Sequence, residues 1–359
     1  MKAAVCRKFN APLTIEDLSL RSPGPDEVRV RLAACAICHS DITYIRGHWG
    51  GTLPAVYGHE AAGHVIEAGI NIDFLNEGAP VLVTLLRSCG NCFYCLRNQD
   101  SLCEAKFPLD ELSPLKDADN AIVDQGLRTA GFAEEVIVHK SQIIEIPVSM
   151  AMDSACLLAC GVITGVGAVR NVASVVSGSS VVTIGVGGVG INCIQGAFLS
   201  NVERNIAIDL DDNKLKMTYQ FGATDVVNAK IQNVNEVVRY LTNGRGADYV
   251  FVAAGSPSAI EQSTQLIRRG GMVVLVGMTA EGVRTELEPL VLANDAIKLI
   301  GSKMGSSQLK VDIPFLIDAY NHGLLKLDEL ISHRFPLSEI NSAILEVEKG
   351  LVMRNVIIF

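Results

Sequence analysis

The chain has 359 residues, 49% hydrophobic and 19% charged, a globular composition too long for one ordinary core, so two domains are expected. The formal net charge is -9 and no Lys/Arg cluster is long enough to track a phosphate backbone, which argues against nucleic acid as a partner. The apolar stretch from Ala155 to Leu199 is broken by Arg170, Asn171 and several Gly and Ser, and the first residues contain no apolar leader, so neither a membrane span nor a secretory signal is expected.

Residues 1 to about 155 read as β-rich. Glu27-Val28-Arg29-Val30-Arg31-Leu32 alternates with period two, as a half-buried strand does. Pro and Gly punctuate at Pro23-Gly24-Pro25, Gly50-Gly51 and Gly78-Ala79-Pro80. A further strand is expected over Ala62 to Gly69. Residues 104–130 are polar and turn-rich, and read as a long loop over a site or an interface.

Near residue 160 the pattern changes. Val181 to Ile184 is a short buried strand, with a helix expected from about Gly188. Strands over Asn205–Ile208, Asp225–Val227, Tyr249–Val252 and Met272–Val276 alternate with helices over Asp212–Phe221, Val234–Leu241 and Ala259–Ile267. Ile297–Ile300 adds a possible sixth strand. Alternation at this repeat predicts a parallel, doubly wound sheet, an α/β fold. The tail, 301–359, breaks the alternation. There is no internal repeat beyond the two halves of this sheet.

Three constellations carry chemistry. The first is Gly185-Val186-Gly187-Gly188-Val189-Gly190, directly after a strand and opening a helix. Its glycines suit a tight turn, close approach of a pyrophosphate, and helix–strand packing. Asp209 lies 19 residues after Gly190, where a carboxylate accepts the ribose hydroxyls of NAD and repels a 2′-phosphate. Asp211 and Asp212 add negative charge, so NAD is expected over NADP. The second is Cys89-x2-Cys92-x2-Cys95-x7-Cys103, a spacing that suits a closed, structural zinc site. An iron–sulfur cluster is the competing reading, with different usual spacings. The third is Cys38, His59 and Cys160. One imidazole and two thiolates leave a fourth zinc position open, as catalytic sites do. Glu60 and Asp41 stand beside two of these ligands, where outer carboxylates belong. Ten cysteines, read as metal ligands and free thiols and not as disulfides, suit a reducing compartment, and the cytoplasm is the expected location.

With these residues in view, the chain resembles the zinc-dependent medium-chain dehydrogenases, and among them the alcohol dehydrogenases. Gly58-His59-Glu60-x2-Gly63-x5-Gly69 is similar to the family's zinc signature, the four cysteines have its spacing, and Cys160-Gly161-x2-Thr164-Gly165 resembles the segment with the third ligand. The resemblance implies a β-rich GroES-like catalytic domain at 1–158 and 301–359 and a Rossmann domain at 159–300. It implies a catalytic zinc on Cys38, His59 and Cys160 and a structural zinc on Cys89, Cys92, Cys95 and Cys103. Glu60 would stand behind the metal and Asp41 would hold the His59 ring. Ser40 would take the substrate proton, and Thr164 and Val189 would place the nicotinamide. Asp209 and Lys214 would hold the adenosine ribose. Arg354, and His39 where many members have arginine, would meet the pyrophosphate beside Gly185, Gly187, Gly188 and Gly190. Thr43 stands where vertebrate members end a proton relay with histidine, and Ala79 replaces a usual acid.

The implied function is reversible hydride transfer between a primary alcohol or aldehyde and NAD. The alternatives are a substituted or secondary alcohol or polyol, and a non-catalytic NAD-binding protein of the same fold. Cysteine at 160, where polyol dehydrogenases of the superfamily tend to have Glu, points to simple alcohols. Trp49, Leu85 and residues near Met278 are expected at the substrate. A homodimer or homotetramer is implied, built on an edge strand near Val273–Met278, with no nucleic-acid or membrane partner.

Overall fold

The computed structural model describes residues 1–350 and 352–359, which divide into two compact units. The first comprises Met1–Cys160, Gln308–Ile313 and Leu327–Phe359; the second comprises Gly161–Ser307 and Pro314–Lys326. The boundaries expected at 158/159 and 300/301 thus fall at 160/161 and 307/308. The division also crosses the helix Leu309–Asn321 at Pro314, where the missing N–H interrupts the backbone ladder.

In the first unit the strand expected from residue 27 runs Glu27–Ala36. It lies within a seven-stranded sheet, between Glu60–Ala68 and Arg354–Ile358, and also pairs with Glu135–His139. Its alternation puts Val28, Val30 and Leu32 into the core with Val65 and Val136. Arg354–Ile358 runs antiparallel to it, with Val356 opposite Ala36, so the irregular tail returns to this sheet. Pro80–Thr84 borders Glu60–Ala68 on the other side, with Thr84 opposite Glu60.

Residues 104–130 are not a structureless loop. They contain the helix Pro108–Glu111 and the strands Leu115–Lys116 and Ile122–Gln125, which join a second, six-stranded sheet. Elements of two to four residues are too short to show a period in the sequence.

The second unit carries the parallel sheet. Its order is Asp225–Asn228, Arg204–Asp209, Ser180–Ile184, Ala247–Val252, Ile267–Leu275, Lys298–Gly301. The direction of winding reverses beside Ser180–Ile184, the switch point at which such sheets bind nucleotides. The helix after that strand is Gly190–Leu199, starting two residues later than expected because Gly187 and Gly188 belong to the turn. The edge strand is Lys298–Gly301; the segment at 273–278 was expected at the edge, but Val273 pairs inside the sheet with both Val250 and Leu299. Among the described residues no single helix is long and apolar enough to cross a membrane.

Candidate functional site

Cys38 is the residue before the helix His39–Ile45, and His59 precedes the strand Glu60–Ala68. One carboxylate joins the two segments. Asp41 Oδ2 accepts from the Cys38 N–H at 3.0 Å, and Asp41 Oδ1 accepts from the Gly58 N–H at 2.9 Å. The same Oδ1 lies 2.9 Å from His59 Nδ1. A carboxylate only accepts, so Nδ1 carries the proton and Nε2 faces away. Asp41 and His59 are both fully buried, yet His59 Nε2 meets no hydrogen-bond partner. Donor atoms of Cys38, His59, Glu60 and Cys160 all lie within 4.8 Å of one another.

The electrostatics of this cluster favour a cation. Burial lowers the pKa of the His59 ring, but the Asp41 carboxylate and the Cys38 sulfur outweigh it and hold the ring well above its usual value. The hydrogen bond from Cys160 pulls the Cys38 thiol well below its usual range. Two sulfurs and a buried imidazole nitrogen with no other partner suit zinc.

Glu60 is fully buried and neither of its oxygens accepts a hydrogen bond. Burial pushes its carboxyl up to about 8, opposed by the charge of Arg354. Arg354, expected at the pyrophosphate, is 4% exposed and forms an ion pair with Glu60, Nη2 to Oε1 at 3.1 Å. Its Nη1 donates to the Ile37 carbonyl at 3.3 Å. The strand pairing explains this, because Ala36 lies between Val356 and Glu60 in the sheet. Removing one partner of a buried pair is far costlier than the pair is stabilising. Arg354→Met, which also takes the donor from the Ile37 carbonyl, should therefore destabilise the protein by about 1–3 kcal/mol. An unchanged denaturation midpoint would contradict that role.

The four-cysteine segment is held by its own backbone. The N–H groups of Cys89, Cys92 and Cys95 donate to the sulfurs of Cys103, Cys89 and Cys92 at 3.4, 3.3 and 3.5 Å. Cys89 and Cys95 sulfurs lie 4.0 Å apart, and those of Cys92 and Cys103 3.9 Å apart. A tetrahedron with metal–sulfur bonds of ~2.3 Å has edges of ~3.8 Å, so four thiolates here match a closed zinc site. The N–H of Cys95 pulls the Cys92 thiol down to about 6, while burial pushes Cys95 up to about 12. Four adjacent sulfurs cannot all ionise without a cation between them.

In the second unit, Gly185 has a φ of +86° and a Cβ on Gly190 would meet the Gly185 carbonyl oxygen at 1.8 Å, so the chain itself needs both glycines. A Cβ on Gly187 would meet nothing within 4 Å. Packing does not explain that glycine; the open space above it leaves room for a ligand to approach the backbone. Asp209 ends the second strand. Its Oδ2 accepts from the Val186 N–H at 2.8 Å, and its Oδ1 from those of Leu210 and Asp211 at 2.7 and 3.2 Å. The carboxylate is thus tied to the glycine turn and to the start of the segment after its own strand. Lys214 is half-buried in the first turn of the next helix, and its N–H bonds the capping Asp211. Thr164, buried in the helix Gly161–Gly167, donates to the Met304 sulfur at 3.5 Å.

Residues 24–148 match the model for the alcohol dehydrogenase GroES-like domain, and residues 188–318 that for the zinc-binding dehydrogenase domain. The chain is 34% identical to alcohol dehydrogenase-like 7 of Arabidopsis thaliana, over 99% of its own length and 94% of that protein's. It belongs to the zinc-dependent medium-chain alcohol dehydrogenase family. It is 32% identical to an alcohol dehydrogenase of Malus domestica, over 99% of this chain and 96% of that one. A crystal structure of benzyl alcohol dehydrogenase from Acinetobacter calcoaceticus superposes with a TM-score of 0.93 at 26% identity, over 100% and 99% of the two chains. As a member of the family the protein is a zinc-dependent oxidoreductase of small-molecule alcohols that acts with NAD.

Of the remaining residues expected at the site, Ser40 is half-buried with its Oγ 3.8 Å from the Cys38 sulfur. His39 is exposed at the start of the same helix. Trp49 packs edge-on against Tyr44, Leu85 is half-buried, and Met278 is 65% exposed. Sequence reasoning missed the buried hydrogen-bonded side chains Thr84, Arg87 and Gln142 near the metal ligands. Polar residues inside a strand or beside one carry no spacing signal.

Proposed function

We propose that the protein interconverts a primary alcohol and its aldehyde with NAD. Cys38, His59 and Cys160 hold the catalytic zinc, and Cys89, Cys92, Cys95 and Cys103 a structural one. The observation that carries the reading is the buried His59 ring, fixed at Nδ1 by Asp41 and without a hydrogen-bond partner at Nε2 beside two sulfurs. When bound, the zinc supplies a Lewis acid that lowers the pKa of an alcohol, and NAD supplies the hydride acceptor.

The chain's own residues supply binding, orientation and proton handling. Asp41 fixes the His59 tautomer and ring plane. Ser40, next to the Cys38 sulfur, takes the alcohol's proton and passes it to solvent. Thr43 does not extend that path, since its hydroxyl donates to the His39 carbonyl at 2.8 Å. Thr164 and Val189 place the nicotinamide, His39 meets the pyrophosphate, and Lys214 supports the ribose. Arg354 is the counter-ion of Glu60 behind the ligands. The likeness to a benzyl alcohol dehydrogenase and the thiolate at 160 both support primary alcohols, aliphatic or aromatic.

A panel of primary alcohols, secondary alcohols and polyols with NAD, followed by nicotinamide absorbance, tests this. Primary alcohols should give the highest kcat/KM, and a polyol in first place would overturn the reading.

Asp209 sets the cofactor preference. A 2′-phosphate brings about two negative charges toward this carboxylate, with Asp211 and Asp212 behind it. Two unit charges ~4 Å apart at an effective dielectric near 20 interact by about 4 kcal/mol, and a third of that is a factor of about ten. Asp209→Gly should lower kcat/KM with NAD and narrow the gap to NADP. An unchanged ratio of the two would refute the assignment.

We place a homo-oligomer contact at the edge strand Lys298–Gly301 and the helix Pro289–Asn294, none of whose residues is buried in the chain and whose Leu290 is 72% exposed. The expected location is the cytoplasm.

A further inference from the structure

Thr84 is the last residue of the strand Pro80–Thr84 and stands directly opposite Glu60, the residue after His59. Its side chain is fully buried, and its hydroxyl donates to the Ala159 carbonyl at 2.6 Å. Ala159 is the residue before Cys160. It closes the short turn Leu157–Ala159, after which Cys160 has φ -145° and ψ -72°, in neither helix nor strand. Cys160 is thus a corner between that turn and the helix Gly161–Gly167.

Thr84 is itself held from behind. Gln142 Nε2 donates to the Thr84 carbonyl at 2.8 Å and to the Arg128 carbonyl at 3.0 Å. Arg87 Nε donates to Gln142 Oε1 at 2.7 Å. The other Arg87 nitrogens donate to Asp110 at 3.0 Å and to the Arg128 carbonyl at 3.0 Å, with a longer bond to Gln125 at 3.4 Å. Gln142 is fully buried and Arg87 is 2% exposed. A buried polar chain is costly unless it is satisfied, and a satisfied one fixes its members in a single arrangement. This chain ends on the carbonyl next to a metal-ligand residue. Valine would fill nearly the volume of Thr84, so packing alone does not call for the hydroxyl.

We propose that Thr84 is a positioning residue for the catalytic metal. Its backbone is in register with the strand that follows His59, and its hydroxyl pins the Ala159–Cys160 corner to that strand. The Cys160 sulfur is thereby set relative to the imidazole before any metal arrives. Arg87 and Gln142 keep Thr84 in place. The proposal rests on Cys38, His59 and Cys160 being the ligand set.

The test is zinc release from the full-length, zinc-loaded protein to a colorimetric chelator. Wild type, Thr84→Val, Thr84→Ser and Cys160→Ala are compared. Cys160→Ala defines the phase that belongs to the four-cysteine site. Thr84→Val should release the catalytic-site zinc about tenfold faster, in the range that loss of an outer partner costs a metal site. The four-cysteine phase should keep its rate, and Thr84→Ser, which retains the hydroxyl, should behave like wild type. Wild-type release by Thr84→Val overturns the proposal, as does equal acceleration of both phases. A Thr84→Ser protein that loses its zinc about tenfold faster also overturns it, whether or not the valine variant folds. If wild type and Cys160→Ala release identical amounts of zinc, the ligand assignment itself fails and the proposal falls with it.

Discussion

Cys160→Ala is expected to give a folded protein with one zinc per subunit and turnover reduced by more than about 100-fold, the upper end of what losing even an outer metal partner costs. The two ligand clusters are separate. Cys38, His59 and Cys160 are drawn together by the Asp41 bonds and the Thr84–Ala159 contact, whereas the four-cysteine segment is held by its own N–H to sulfur bonds. Removing the Cys160 sulfur leaves the second cluster untouched. The alanine leaves a small gap where Cys160, 6% exposed, had been, and such a loss in one corner is tolerable against the core of the first unit. Metal analysis together with turnover is the check. A variant that keeps two zincs and near-normal turnover would remove Cys160 from the ligand set.

Cys103→Ala should act in the opposite way, on stability before chemistry. A structural zinc contributes roughly 10–16 kcal/mol to the folding of small zinc domains, and whole domains are stable by only about 5–15 kcal/mol. Cys103 supplies one of four sulfurs, and its sulfur also accepts the Cys89 N–H. Without it, Cys92, pulled down to about 6, remains as a thiolate beside sulfurs that no longer share a metal. The expected result is a fall in Tm of more than about 5 °C, since each kcal/mol shifts Tm by about 2–4 °C in a domain of 150–250 residues. Proteolysis should begin within residues 89–103. An unchanged Tm with one zinc lost would show that this site does not serve folding.

Much of the second unit was legible because hydrophobic periodicity is local. Val181–Ile184 and Val234–Leu241 could be named from their own residues, and the structure has strand Ser180–Ile184 and helix Val234–Leu241. The glycine turn was legible for the same reason, since its meaning depends on the strand before it and the helix after it. The two clusters of candidate metal ligands were legible by type and spacing. The pairing of Arg354 with Glu60 was not, because it exists only once Arg354–Ile358 joins Glu27–Ala36. Nor was the sharing of Asp209 with the Val186 N–H, a bond set by the turn's conformation rather than by residue identity. Residues 104–130 misled for a third reason: strands of two to four residues, stabilised by pairing with distant partners such as Ser19–Leu20 and Ala55–Val56, leave no periodic trace.

The central claim is that a zinc on Cys38, His59 and Cys160 makes this chain an NAD-dependent alcohol dehydrogenase. Its most direct test is turnover of a primary alcohol with NAD before chelation, after removal of zinc, and after zinc is returned. Reduced nicotinamide should accumulate, stop accumulating when the metal is removed, and accumulate again when zinc is restored, with Cys160→Ala inactive throughout. Turnover that survives complete removal of zinc, or that Cys160→Ala retains, would contradict it.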